Sequence, residues 1–145
     1  MDFTSLESLA KHLELTIDRS LKNDVAKGVV KTMQEEIKDK VYSVYSPLNY
    51  DRHYYKDGLL DPKNIEIQVT DHGISVESIR YDENDPYKNV SEIIESGSGY
   101  TYNVPDELTN GRPFTESTRQ RLVNEGILQQ KMKDGLNRQG IDVRL

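Results

Sequence analysis

The chain has no proline before Pro47, and within that stretch apolar residues recur every three or four positions. Both facts predict helix from residue 4 to residue 46. Thr4 or Ser5 supplies a cap, with Glu7 and Ser8 close behind. One stripe runs Leu6, Leu9, Leu13, Ile17, Leu21, and a second runs Ala26, Val30, Met33, Ile37, Val41, Val44. Each marks one helix face. The step from Leu21 to Ala26 is five residues, so the pattern changes phase there. Asn23-Asp24 sits at the jump, and Gly28 weakens the same region by about 1 kcal/mol relative to alanine. Two arrangements satisfy this pattern. One is a helix, a kink near 22–25 and a longer helix; the other is a single rod whose halves bury different faces. In either, residues 1–22 need not share a surface with the rest. We expect them to form an N-terminal helical arm reaching a neighbouring subunit, with 23–145 a single α+β domain. An ordinary helical hairpin is the competing arrangement.

Pro47 ends the rod, because it lacks an N–H and forces Ser46 to be extended. A polar loop rich in tyrosine follows as far as Lys63, with a turn at Asp57-Gly58. Residues 64–81 then alternate. Ile65, Ile67 and Val69 lie on one strand, Ile74, Val76 and Ile79 on its partner, and the turn covers Thr70 to Gly73. A short helix is expected over Lys88–Glu95 and a flexible turn at 96–99. A last helix runs from Pro113-Phe114, with Thr115 as its cap, to about Gln139. Gly140 stops it. Ile141–Leu145 reads as a short final strand. The fold class is therefore α+β: a long N-terminal helix on a small, mainly antiparallel sheet, with a C-terminal helix and that closing strand.

At 145 residues, with 34% hydrophobic residues, no Trp and two Phe, the core is lean. Such a chain gains stability from subunit contacts. The net charge of −6 disfavours general binding of nucleic acid. Between Asp51 and Glu107 there are thirteen acids and five bases, whereas from Gly111 to Leu145 seven bases face four acids. Opposite ends of this kind suit head-to-tail packing; a solvated surface of uneven charge explains the counts equally well. The absence of Cys removes disulfides and thiolate metal sites. The first fifteen residues do not have the form of a signal peptide, and no apolar run approaches the ~20 residues of a membrane span. Synthesis in a cytoplasm, without membrane association, is expected.

Chemistry has little to stand on. His12 reads as solvated and His72 as a turn residue. His53, beside Asp57 and Asp61, is the one position where a hydrolase or metal site is conceivable, but no ligand spacing recurs around it. There is no GxSxG elbow, and SGSGY at 96–100 lacks the lysine and the strand–loop–helix setting of a phosphate cradle. Glu35-Glu36 and Asp106-Glu107 are sequence neighbours that diverge on a helix. We expect no catalytic residue, cofactor or metal. Tyr42, Tyr45, Tyr50, Tyr54 and Tyr55, interleaved with Arg52 and His53, form the densest cluster of contact-type side chains. A loop folded so that its rings cover the sheet is the alternative.

The order of these features resembles the tail-completion, or head–tail joining, family of long-tailed bacteriophages. Tyr45, Pro47, Tyr50, Arg52, Gly58 and Leu59 fall as in that family's junction, ahead of the 64–81 hairpin. Ile93, Ile94, Glu95 and Gly97 look like its short apolar helix, and Arg112, Pro113 and Phe114 like its joint before the last helix. The resemblance covers about 25–145, with Gly99–Asn110 as an insertion. It implies a virion protein at the neck, made in the host cytoplasm and assembling as a ring, hexameric or dodecameric, against other neck and tail proteins while DNA passes without specific binding. Tyr45, Tyr50, Arg52, His53, Tyr54, Tyr55, Arg112 and Phe114 are then the candidate contact residues, with Arg112 expected to pair near Glu95 and Phe114 to plug a corner of the core. The readings of other classes are a dimeric cytoplasmic regulator or antitoxin-like module, and a hydrolase around His53, Asp57 and Asp61.

Overall fold

The computed structural model describes residues 3–45, 52–71, 73–101 and 103–144. The Pro-free segment is one rod. Helix α1 (Leu6–Ser20) passes through a π turn (Leu21–Val25) into α2 (Ala26–Ile37), which ends in a second π turn (Lys38–Tyr42). Backbone angles stay helical throughout, with Ser20 at φ −65°, ψ −40° and Ala26 at φ −58°, ψ −45°. Ala26 N–H donates to the Leu21 carbonyl, five residues back. The five-residue step in the apolar pattern is therefore the π turn itself. The rod absorbs the phase change without a kink, so that Thr16, Ser20, Val25, Val29, Met33 and Ile37 stay on one buried face and the expectation that the halves bury different faces is not met. Asn23-Asp24 does not stop the helix. Asp24 instead accepts a 2.5 Å bond from Arg138.

Ser5 caps α1, its hydroxyl accepting from Ser8 N–H at 3.2 Å. The second stripe holds the core: Ala26, Met33, Ile37 and Val41 are buried. Met33, Ile37 and Val41 pack with Leu59, Leu60, Ile65, Ile94 and Phe114. A smaller cluster joins Val25 and Val29 to Leu122.

Strands β1 (Ile65–Thr70) and β2 (Gly73–Ser78) pair antiparallel, with Ile67 opposite Val76 and Thr70 opposite Gly73. They are the whole sheet among the described residues. His72, in the connection, lies outside those residues. The remaining elements are α3 (Val90–Ser96), α4 (Asp106–Thr109), α5 (Phe114–Asn124) and α6 (Ile127–Arg138). The α+β class stands. The predicted single last helix is two, because Gly126 takes a left-handed φ of 62° that breaks the ladder. The expected closing strand does not form over 141–144. Ile141 N–H bonds back to the Leu136 carbonyl at 2.9 Å, so the chain continues the end of α6 instead of reaching the sheet.

Thr115 does not cap α5. Its N–H donates to Glu95 Oε1 at 2.7 Å, so a carboxylate from α3 satisfies the free helix end. That use of Glu95 also overturns its expected pairing with Arg112.

Candidate subunit interface

Helix α1 turns its polar side inward. Thr16 and Ser20 are buried against α6. Their hydroxyls bond back to the carbonyls of His12 (2.7 Å) and Thr16 (3.0 Å). Gly135 makes the close approach possible: a Cβ there would lie 2.8 Å from Ser20 Oγ. Gln139 Nε2 then donates to the Thr16 carbonyl at 3.0 Å and to Ser20 Oγ at 2.8 Å.

With Thr16 and Ser20 inside, three of the five residues of the first apolar stripe face out, while Leu9 and Leu21 are half-buried and Leu21 packs on the smaller cluster. Leu6 is 84% exposed, Leu13 38% and Ile17 41%. The sheet repeats the pattern at smaller scale, since Ile67 (41%) and Val69 (53%) are open although Ile65 on the same face is buried. Single exposed apolar residues are ordinary, but a helical row of them is not. The sequence pattern located the stripe and could not say that it faces outward. That depended on Gly135 and Gln139, whose match to Thr16 and Ser20 across more than a hundred residues leaves no local signal.

The tyrosine corner is half exposed and half packed. Tyr42 is its pivot. Its hydroxyl donates to the His53 carbonyl at 2.5 Å, and its ring lies 4.5 Å from that of Tyr54. Burial raises the Tyr42 hydroxyl above its ordinary value, against the opposing effects of a Leu59 N–H and the Arg52 charge. The Arg52 guanidinium sits 5.4 Å from the Tyr42 ring and 5.7 Å from the Tyr45 ring, and its Nη1 donates to the Tyr42 carbonyl at 2.9 Å. Tyr54, Tyr55 and His53 are exposed, with Lys38 Nζ over the Tyr55 ring at 5.0 Å. Tyr50 lies outside the described residues. Phe114 is fully buried, as a corner plug, and has no surface to offer a partner. Arg112 is also inside. Its Nη2 donates to the Tyr100 hydroxyl at 3.0 Å and its Nη1 approaches the Val41 carbonyl at 3.4 Å.

Asp57 and Asp61, neighbours of His53 in the loop, are engaged structurally. Asp61 accepts from the N–H groups of Asp57 (2.8 Å) and Lys63 (3.1 Å), and Lys63 is ion-paired to Asp57. Among the described residues no three His, Asp or Glu side chains gather to hold a metal, and no helix is long and apolar enough to cross a membrane.

The YomN family model matches residues 5–138, which span the stripe, the corner and both terminal helices. The chain belongs to the YomN family. A relative described as SPbeta prophage-derived uncharacterized protein YomN, from Bacillus subtilis (strain 168), is 35% identical over 124 residues, covering 82% of this chain and 81% of its own. No solved structure matches. The prophage relative suggests a phage origin for this YomN-family chain. Neither match names a neck or tail-completion protein.

Proposed function

We propose that this protein is a phage assembly component that joins head to tail, or completes the tail tube, as one subunit of a ring. The observation that carries the reading is the outward apolar row Leu6, Leu13 and Ile17. That row costs solubility in a free chain and is stabilising once another subunit covers it, at roughly 25 cal/mol per Å² of apolar surface. The row lies on the part of α1 that the core does not need, as an arm gripping a neighbour requires. The prophage relative supports the phage setting, and the Tyr45–Leu59 and Arg112–Phe114 joints support the tail-completion assignment.

In this reading the other neck and tail proteins are the partners, and DNA passes through the ring. The acid-rich middle of the chain would repel phosphates along the lumen. The same apolar row would also serve a dimeric regulator, so stoichiometry separates the two. The decisive experiment disrupts the gene in the phage that encodes it and images the particles. Filled heads and unjoined tails are expected, with joining restored by adding the purified protein. Normal infectious particles, together with a discrete dimer by mass photometry, would replace this reading with the regulator.

A further inference from the structure

Beside the tyrosine corner lies a cleft of about 370 Å³. Its charged lining is Arg52, Arg80, Arg112, Lys88, Asp82 and His53. In a chain of net charge −6, four permanent cations converge there on one acid. Lys88 takes that acid, at 3.8 Å from Asp82. Arg80 reaches Glu83 at 3.9 Å and donates to the Tyr81 carbonyl. Arg52 and Arg112 have no carboxylate within ion-pair distance among the described residues. Arg112 is only 8% exposed, and its Nε has no hydrogen-bond partner; Arg52 Nη2 is likewise buried and unpartnered.

A guanidinium held this far from water, with donors unused, is costly. Nearby carboxylates were available in so acidic a chain, yet Glu95 is directed to the α5 N-terminus instead. The Arg fork matches a carboxylate in two-point geometry, and the Tyr100 hydroxyl, also in the cleft lining, already orients Arg112. We infer that the cleft binds a carboxylate side chain presented by an acidic peptide segment of a partner protein. Phosphate diesters fit less well, because Asp82 lines the cleft and Glu83 lies beside Arg80, and a continuous chain of negative charge must pass both, whereas a lone carboxylate need not. This assignment concerns the purified chain alone and does not depend on the neck reading.

The probe is a fluorescent peptide carrying one Glu among neutral residues, with its Gln counterpart, inorganic phosphate and a single-stranded oligonucleotide as comparisons. The acidic peptide should bind saturably and weaken with salt, and the Gln peptide should not bind. Arg52→Gln, at the half-buried position, should weaken binding about tenfold or more, the loss of one charge-assisted contact. Arg112→Lys keeps the charge and should weaken it less than Arg112→Gln. Circular dichroism establishes that each variant is folded. Equal binding by the folded Arg52→Gln protein, or tighter binding of phosphate or oligonucleotide than of the peptide, would overturn the assignment.

Discussion

The side-chain amide of Gln139, at the end of α6, donates to the main-chain carbonyl of Thr16 on α1 at 3.0 Å. The same nitrogen reaches Ser20 Oγ and the Gly135 carbonyl. One amide thus ties α1 to α6 through three acceptors. Gln139→Ala removes the donor and leaves part-buried acceptors without it. A loss of about 1–3 kcal/mol is expected, with faster hydrogen exchange concentrated in α1. Uniform exchange along the chain would show that α1 is held by something else.

The exposed stripe should separate assembly from folding. Leu13→Glu combined with Ile17→Glu alters side chains that are each more than a third exposed, so the fold should survive with a loss of about 1–2 kcal/mol. Ring formation or particle joining should be lost. A variant that still joins heads to tails would remove α1 from the interface.

Phe114 should behave in the opposite way. It is fully enclosed by Ile37, Val41, Ile94 and their neighbours, and Phe114→Ala should cost about 3–5 kcal/mol, measured by urea denaturation. Tyr54→Ala, on the exposed side of the corner, should fall well short of that.

The loop after the corner carries an acid-sensitive clasp. Lys63 holds the Asp57 carboxyl below its usual range, and the backbone N–H groups of Asp57 and Lys63, with the Lys63 charge, do the same for Asp61. Both contributions are complete above the unfolded carboxylate value of about 4 and vanish as pH falls through the lower folded values. Lys63, raised by Asp57, titrates in the other direction: its share is present below the ordinary lysine value and is lost as pH rises through the raised one. Asp61→Asn should therefore flatten the decline of stability between about pH 5 and pH 2. An unchanged acid limb would mean that the clasp is too exposed to matter.

Most of the scaffold was legible because it rests on short-range pattern. The stripe from Ala26 to Val41, the hairpin register and the buried Phe114 follow from local spacing and one proline. The π turn was legible too, as a five-residue step, although the kink and the single rod fitted that step equally well until the backbone was seen. What stayed hidden depends on distant partners. Glu95 capping α5, Gly135 admitting Ser20, and Tyr100 meeting Arg112 are all contacts between segments that share no periodicity. The final strand failed for a related reason. Ile141 is apolar enough for a sheet edge, but the Leu136 carbonyl is nearer and takes its N–H first.

The π turn at Leu21–Val25 also sets a tolerance on the gene. Deleting one codon inside it would restore ordinary four-residue winding and leave Thr16 and Ser20 facing α6, whereas the same deletion in the regular winding of α2 would swing everything upstream by about 100°. Leu15 and Arg19 would then arrive where Thr16 and Ser20 now sit, opposite a glycine with no space for either. The outer row would swing aside with them, so a single amino acid lost beside the turn would cost the protein its clamp and its grip together, while one lost within it would spare both.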